Sequence, residues 1–221
     1  MEKNGSCSKV VIYFIRHGQS IGNAQFRFLG HTDLDLTELG LEQAKATAEY
    51  LRDVDFDQIY SSSLLRAYNT AKANADLRSM EVVPRDGLRE AFCGDWENMI
   101  CSDIEKQYGE LYTYDWPHRY GTFAFPNGES TVGAGERFYN EVVSIARNHL
   151  DKKILIVAHG AVIRSFWAII SGISPEEISE KLPFATNASV SIAEFDGKKF
   201  TPVEYSIDAH LSSIGITKVG F

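Results

Sequence analysis

The sequence predicts an α/β protein built on a mostly parallel, buried sheet, and three observations carry that expectation. Two short apolar runs, residues 10–15 and 154–158, are β-branched and uninterrupted, as strands covered on both faces are. Both stop at the same kind of ending, Arg16-His17-Gly18 after the first and His159-Gly160 after the second. Strand-like and helix-like patterns alternate along most of the rest, the signature of strands joined by crossover helices.

The elements follow in order. Residues 10–15 deliver Arg16, His17 and Gly18 to a strand's carboxyl end, the side on which open α/β sheets bind ligands. Residues 26–35 read as irregular, with Gly30, Asp33 and Asp35 as turn formers. Thr37 caps a helix whose apolar face runs Leu41, Ala44, Ala48 and Leu51. A second strand at 56–60 leads into three serines, 61–63, that can cap a helix running through Ala75. That helix carries Arg66 in its first turn, where free backbone amides attract anions. A third strand, 81–84, precedes Glu90, again on the ligand side.

From 91 to 127 the alternation fails. The segment carries nine aromatic residues, among them Phe92, Trp96, Tyr114, Trp116, Phe123 and Phe125, and only 102–108 looks helical. A long aperiodic stretch inside a compact domain is most often a binding loop or lid. We read it as a cap over the crevice, its aromatics also able to form a satellite core. Order returns at Ser130, a cap for a long helix bearing Val132, Phe138, Val142, Val143, Ile145, Ala146 and Leu150. After the strand at 154–158 comes a helix over 161–170, a short helix from Pro175, and a hairpin of 189–195 and 200–205 around Asp196-Gly197-Lys198-Lys199. The tail, 206–221, shows little periodicity and has no legible role.

Composition narrows the partners. At 221 residues with 44% apolar content, residues 1–221 suffice for one globular domain, with the cap inserted at about 91–127. A formal charge of -8 argues against nucleic acid and anionic membranes, so an anionic ligand needs a local cluster of cations. Cys7, Cys93 and Cys101 lack zinc-ligand or disulfide-framework spacing, which points to free thiols and a reducing compartment. Residues 1–9 are too short and too polar for a signal peptide, and the apolar runs are far below membrane-spanning length. A cytoplasmic protein is expected. The oligomeric state stays open, a homodimer included.

The repeated His-Gly ending is the strongest chemical clue, since two histidines at equivalent strand ends can converge on one ligand. Arg16 offers a fixed fork for an oxyanion and His17 a nitrogen that is neutral near physiological pH. Phosphoryl transfer needs an in-line nucleophile, positive groups around the equatorial oxygens, and an acid for the departing oxygen. A neutral His17 fits the first need. Arg16, Arg66 and a protonated His159 fit the second, with Asn23 and nearby amides such as Gly160 as neutral donors, and Glu90 fits the third if its surroundings hold its proton. No cofactor is required, and the histidines lack the spacing of a metal site.

The chain resembles the histidine phosphatase superfamily, in its phosphoglycerate mutase-like branch. The likeness is carried by Arg16-His17-Gly18-Gln19-Ser20 with Asn23, Leu36-Thr37-Glu38-Leu39-Gly40 with Gln43-Ala44, and Tyr60-Ser61-Ser62 with Leu64, Arg66-Ala67 and Thr70-Ala71. It continues through Leu88-Arg89-Glu90 with Gly94 and Trp96-Glu97, Gly128-Glu129-Ser130, and Val157-Ala158-His159-Gly160 with Ile163-Arg164. The resemblance implies a three-layer α/β/α sandwich, His17 as phosphorylated nucleophile, Arg16, Arg66 and His159 as phosphate pocket, Asn23 as a further ligand and Glu90 as proton donor. Two departures bear on the subclass. Gly22 stands where mutases of the family carry tryptophan, and Asn98 stands where its phosphatases carry glycine, which would reshape the mouth of the cap. Between 91 and 127 only Lys106, His118 and Arg119 are basic against six acidic residues, a poor provision for the second phosphate a mutase must hold. The expected activity is a metal-independent phosphomonoesterase of small phosphorylated metabolites. A phosphoglycerate mutase and a regulatory phosphate-compound binding protein are the alternatives.

Overall fold

The computed structural model describes residues 8–217. Cys7, most of the polar leader and the last four tail residues lie outside the described residues. The strands are β1 (Val10–Arg16), β2 (Gln58–Ser62), β3 (Val82–Arg85), β4 (Lys153–Ala158), β5 (Val190–Phe195) and β6 (Phe200–Ile207). The helices are α1 (Ile21–Ala24), α2 (Glu38–Tyr50), α3 (Leu65–Arg78), α4 (Cys101–Tyr108), α5 (Trp116–His118), α6 (Thr131–Arg147), α7 (Gly160–Ser171) and α8 (Ile178–Lys181).

All six strands form one sheet in the order β3-β2-β4-β1-β5-β6. The β1–β4, β2–β4 and β2–β3 pairs are parallel, and the β5–β6 hairpin joins β1 in antiparallel sense. Strand residues alternate between two covered faces. Ile12, Phe14, Ile154 and Ile156 pack with Phe138 and Val142 of α6 and Val162 and Phe166 of α7. Ile15, Ile59, Leu155 and Val157 pack with Leu51 and Phe56 and with Ala67, Ala71 and Ala75 of α3. The small alanines let α3 lie close to the sheet. This is the expected three-layer α/β/α arrangement.

Register positions the site. Arg16 lies opposite Ala158, so β1 and β4 end level and present His17 and His159 side by side. Ser61 of β2 lies opposite Val157, which brings Ser62 to the same edge.

Several local expectations need correction. The buried face of α2 is Gly40, Gln43, Ala44, Thr47 and Ala48, while Leu41 is 45% exposed. Two polar residues take the inward face because each is satisfied there: Gln43 accepts the Gln19 N–H and Thr47 donates to main-chain oxygen. Helix α3 has Leu64 at its N-cap with no side-chain cap of its own. Asp33, more than thirty residues earlier, accepts the Leu65 N–H, and Ser62 accepts the Leu64 N–H. Helix α6 starts at the expected Ser130 cap but ends at Arg147, leaving Leu150 outside it.

The 91–127 segment has more helix than its pattern suggests, α4 being followed by a π-helical turn (Leu111–Asp115) and α5. Trp96, Trp116, Phe123 and Phe125 pack with Phe28 as one cluster of edge-to-face and tilted rings continuous with the main core, Trp116 lying 5.3 Å from the Phe28 ring. Tyr114 instead is 52% exposed and stacks on His118. Asn98 takes a left-handed backbone (φ +61°), the region that glycine favours and asparagine tolerates. A Cβ on Gly22 would lie 2.2 Å from the Leu29 side chain, which fills the space a larger residue would need. The tail gains a role: Gln43 donates to Gly215 O and Asn187 N–H to Thr217 O, tying the end of the described chain beneath the His17 loop. Among the described residues no helix is long and apolar enough to cross a membrane.

Candidate active site

At the carboxyl edge of the sheet a pocket is lined by Arg16, His17, Asn23, Arg66, Glu90 and Gly160, six of the seven residues singled out in the sequence. The seventh, His159, is fully buried behind it, its ring 5.2 Å from that of His17. Residues that sequence reasoning passed over, Arg27, Phe28, Leu29, Ala161 and Phe184, complete the lining, together with Ala91, Cys93, Trp116 and Phe125 of the expected cap.

His17 is held at both ends. Its N–H donates to Ala158 O at 3.0 Å, and Asn187 Nδ2 donates to its carbonyl at 2.9 Å. Nδ1 lies 2.7 Å from Gly18 O and must donate to it, which fixes the hydrogen on Nδ1 and leaves the lone pair on Nε2. Burial, and then the charges of Arg66 and Arg16, push its pKa well below the ordinary histidine value. A neutral imidazole with a free Nε2 is the nucleophilic form.

Two buried guanidinium groups flank it. Arg16 donates through Nη1 to Ala185 O, and Arg66 through Nη1 and Nη2 to Thr32 O and Gly30 O. The Nε of each is buried without a hydrogen-bond partner. Burial pulls Arg16 down to about 10, against the pull of Glu90, which leaves it charged at neutral pH, and burial lowers Arg66 as well. A Cβ on Gly160 would approach Arg16 Nε to 3.2 Å, so the glycine makes room for that fork. Buried donors are nearly always satisfied, and two guanidinium N–H groups without acceptors at one pocket describe a place for an anion.

His159 departs from expectation. Burial, with Arg66, His17 and Arg16 nearby, pushes its pKa well below the ordinary value, so it is neutral and not protonated. Ser62 Oγ accepts the Leu64 N–H and lies 2.7 Å from His159 Nε2, a hydrogen bond whose donor is set by the tautomer of the ring. His159 Nδ1 is buried without a partner.

Asn23 Oδ1 receives the Ser20 N–H, the Ser20 hydroxyl and Asn187 Nδ2, which turns its NH2 group away from these donors. Glu90 Oε1 accepts the Ala91 and Val162 N–H groups and Oε2 the Ala161 N–H, so its carboxylate sits on the first turn of α7. Glu97 accepts the N–H groups of His31, Thr32 and Cys93 and so holds the loop whose carbonyls grip Arg66. Cys93 is buried beside the pocket, and burial raises its thiol well above the usual range. Among the described residues no group of three or more His, Cys, Asp or Glu side chains is placed to hold a metal.

The buried histidines make stability depend on pH. Their folded pKa values lie below the unfolded value near 6.5, so under that pH the unfolded chain binds protons that the folded chain does not. Stability is intact above that value and falls as pH drops, by about 1.4 kcal/mol per pH unit for each histidine. The urea midpoint should decline between pH 7 and 5, and His159→Gln should flatten the decline. A midpoint that stays level over that range would show that these rings titrate normally.

Residues 12–208 match the histidine phosphatase superfamily (branch 1). The chain is 33% identical to an uncharacterized phosphatase, PhoE, of Bacillus subtilis over 91% of its own length and 96% of that protein's. It is also 33% identical to a 2,3-bisphosphoglycerate-dependent phosphoglycerate mutase of Bartonella tribocorum, over 76% and 84% of the two chains. The solved structure of Bacillus stearothermophilus YhfR superposes with a TM-score of 0.86 at 28% identity, covering 92% of this chain and all of that one. With its paired strand-end histidines and buried arginines, the chain therefore belongs to the histidine phosphatase superfamily (branch 1) and is a histidine-type phosphatase.

Proposed function

We propose that the chain is a metal-independent phosphomonoesterase of small phosphorylated metabolites that works through a phosphohistidine on His17. The observation that carries this reading is the convergence of the free Nε2 of a neutral His17 with two buried, partnerless guanidinium donors. A phosphoryl group bound to Arg16 and Arg66, with the Asn23 amide and the His159 ring as further ligands, receives charge stabilisation in a site shielded from water. His17 Nε2 attacks phosphorus, the P–N bond forms and the P–O bond to the leaving oxygen breaks. Glu90 gives that oxygen a proton. Oε2 accepts one N–H against two at Oε1, which makes it the oxygen free to carry the proton. Glu90 then takes a proton from the water that attacks phosphohistidine, and inorganic phosphate leaves.

The two arginines supply the positive charge that a metal ion would otherwise bring. Free Cys93 and Cys101 support a reducing, cytoplasmic setting, and the acidic balance supports a small ester, not nucleic acid or membrane, as partner. Beyond the phosphoryl position the walls are Phe28, Leu29, Trp116, Phe125 and Phe184, which suit an apolar or ring-bearing group. One cation, Arg27, favours the mutase as second reading, because it can meet a second anionic group. That reading requires a bisphosphorylated primer and little net phosphate release.

The test is phosphate release in chelator from paired esters, one ring-bearing and one small. Chelator-resistant release is expected, and Trp116→Ala should raise KM about tenfold for the ring-bearing ester and under about threefold for the small one. Release from neither ester, or release abolished by chelator, would overturn the metal-independent esterase. Equal KM changes would remove the aromatic wall from substrate recognition.

A further inference from the structure

Glu90 lies outside any strand, in a stretch that follows a single 3-10 turn, Asp86–Leu88, so the sheet does not fix its position. Side-chain hydrogen bonds do. Arg137 of α6 reaches back with Nη1 to Gly87 O (3.1 Å) and Arg89 O (2.9 Å), and with Nη2 to Glu90 O (3.0 Å). Its Nε and Nη2 also donate to the two carboxylate oxygens of Glu129 at 3.0 and 2.8 Å. Glu129 in turn accepts the Phe92 N–H, just past Glu90. His31 Nε2 lies 2.9 Å from the same Glu90 carbonyl, which can only accept.

We infer that Arg137, oriented by Glu129, is a positioning residue for the proton-donating Glu90. A half-exposed ion pair alone contributes little. Here the pair serves another end: the bidentate carboxylate locks the plane of the guanidinium, and the remaining donors grip three carbonyls of the one loop that carries the acid. Glu90 must meet the leaving oxygen within hydrogen-bond reach, so a shift of its main chain of about 1 Å costs proton transfer before it costs phosphate binding. The cations of the pocket stand on other elements, Arg16 at the end of β1 and Arg66 on α3.

This inference rests on the proposed role of Glu90, and the leaving group separates the two. Protonation matters for an alkyl ester, whose alkoxide leaves poorly, and hardly for 4-nitrophenyl phosphate, whose phenolate leaves unprotonated. With kcat/KM as readout, Glu90→Gln should lower alkyl phosphate turnover by roughly a hundredfold or more and 4-nitrophenyl phosphate far less. Arg137→Met should show the same split at smaller scale, about tenfold to thirtyfold against under threefold, and Arg137→Lys should fall between Met and wild type. If Arg137→Met does not fold, Glu129→Gln, which leaves Arg137 in place without its charged partner, should give the same split more weakly. No split in Glu90→Gln would remove the acid role and this inference with it. A split in Glu90→Gln with equal losses, or none, on both esters in folded Arg137 and Glu129 variants would show that the clamp is only structural.

Discussion

Replacement of His17 by glutamine will lower kcat/KM for every ester by roughly ten-thousandfold or more, and will abolish the acid-labile, base-stable phosphoryl label that wild type acquires in a rapid quench with radiolabelled ester. Glutamine is close to histidine in length, its amide standing about where Nε2 does, and it gives up only the contact that Nδ1 makes with Gly18 O at 2.7 Å. It also removes a ring whose ionised form is penalised by burial, so the variant should fold at least as well as wild type below pH 6. What it lacks is a nitrogen lone pair in line with the phosphorus. The guanidinium groups still bind and polarise the ester, so affinity for inorganic phosphate should change little while turnover disappears. Turnover within tenfold of wild type, or a label of the same lability in the variant, would place the nucleophile elsewhere.

The parts of the site that were legible in the sequence are those set by single strands. A buried strand must end somewhere, and the residues at its carboxyl end must face the crevice; that suffices to nominate Arg16, His17, His159 and Gly160. Arg66 and Glu90 follow from the same geometry one element later. The same rule applied to the end of β2 would have found Ser62, the hydrogen-bond partner of His159. What stayed illegible depends on contacts between distant segments. Asn187 donates to His17 O across 170 residues, and Phe184 lines the pocket from an aperiodic connection. Arg137 sits on a helix whose pattern reports only its buried face. The serine cap expected for α3 failed for a related reason: the oxygen that serves Leu65 N–H belongs to Asp33, from another loop. The charge of His159 in the free site was not legible, because burial, a tertiary property, is what lowers its pKa most.

The second large effect concerns Arg66, which is 1% exposed and ties Gly30 O and Thr32 O while its Nε remains without a partner. Arg66→Met should cost about a thousandfold in kcat/KM, because it removes a preorganised charge-assisted donor from the equatorial oxygens and leaves two loop carbonyls without their donor. Rate alone does not separate those causes, but pH does. After burial, the charge of Arg66 is the next influence that lowers the His17 pKa. Without that charge the pKa rises toward the ordinary value, and the neutral fraction of His17 at a given acidic pH falls. The acid limb of kcat/KM should therefore move to higher pH in Arg66→Met relative to wild type. The comparison uses the same ester throughout, so that substrate ionisation is common to both. Arg66→Lys restores the charge but not the fork: its three donors share one nitrogen and lack the planar span by which Nη1 and Nη2 reach Thr32 O and Gly30 O separately. It should return the acid limb close to its wild-type position while recovering only part of the rate. An acid limb that stays fixed in Arg66→Met, with the rate lost, would mean that Arg66 shapes the loop without acting electrostatically on the nucleophile.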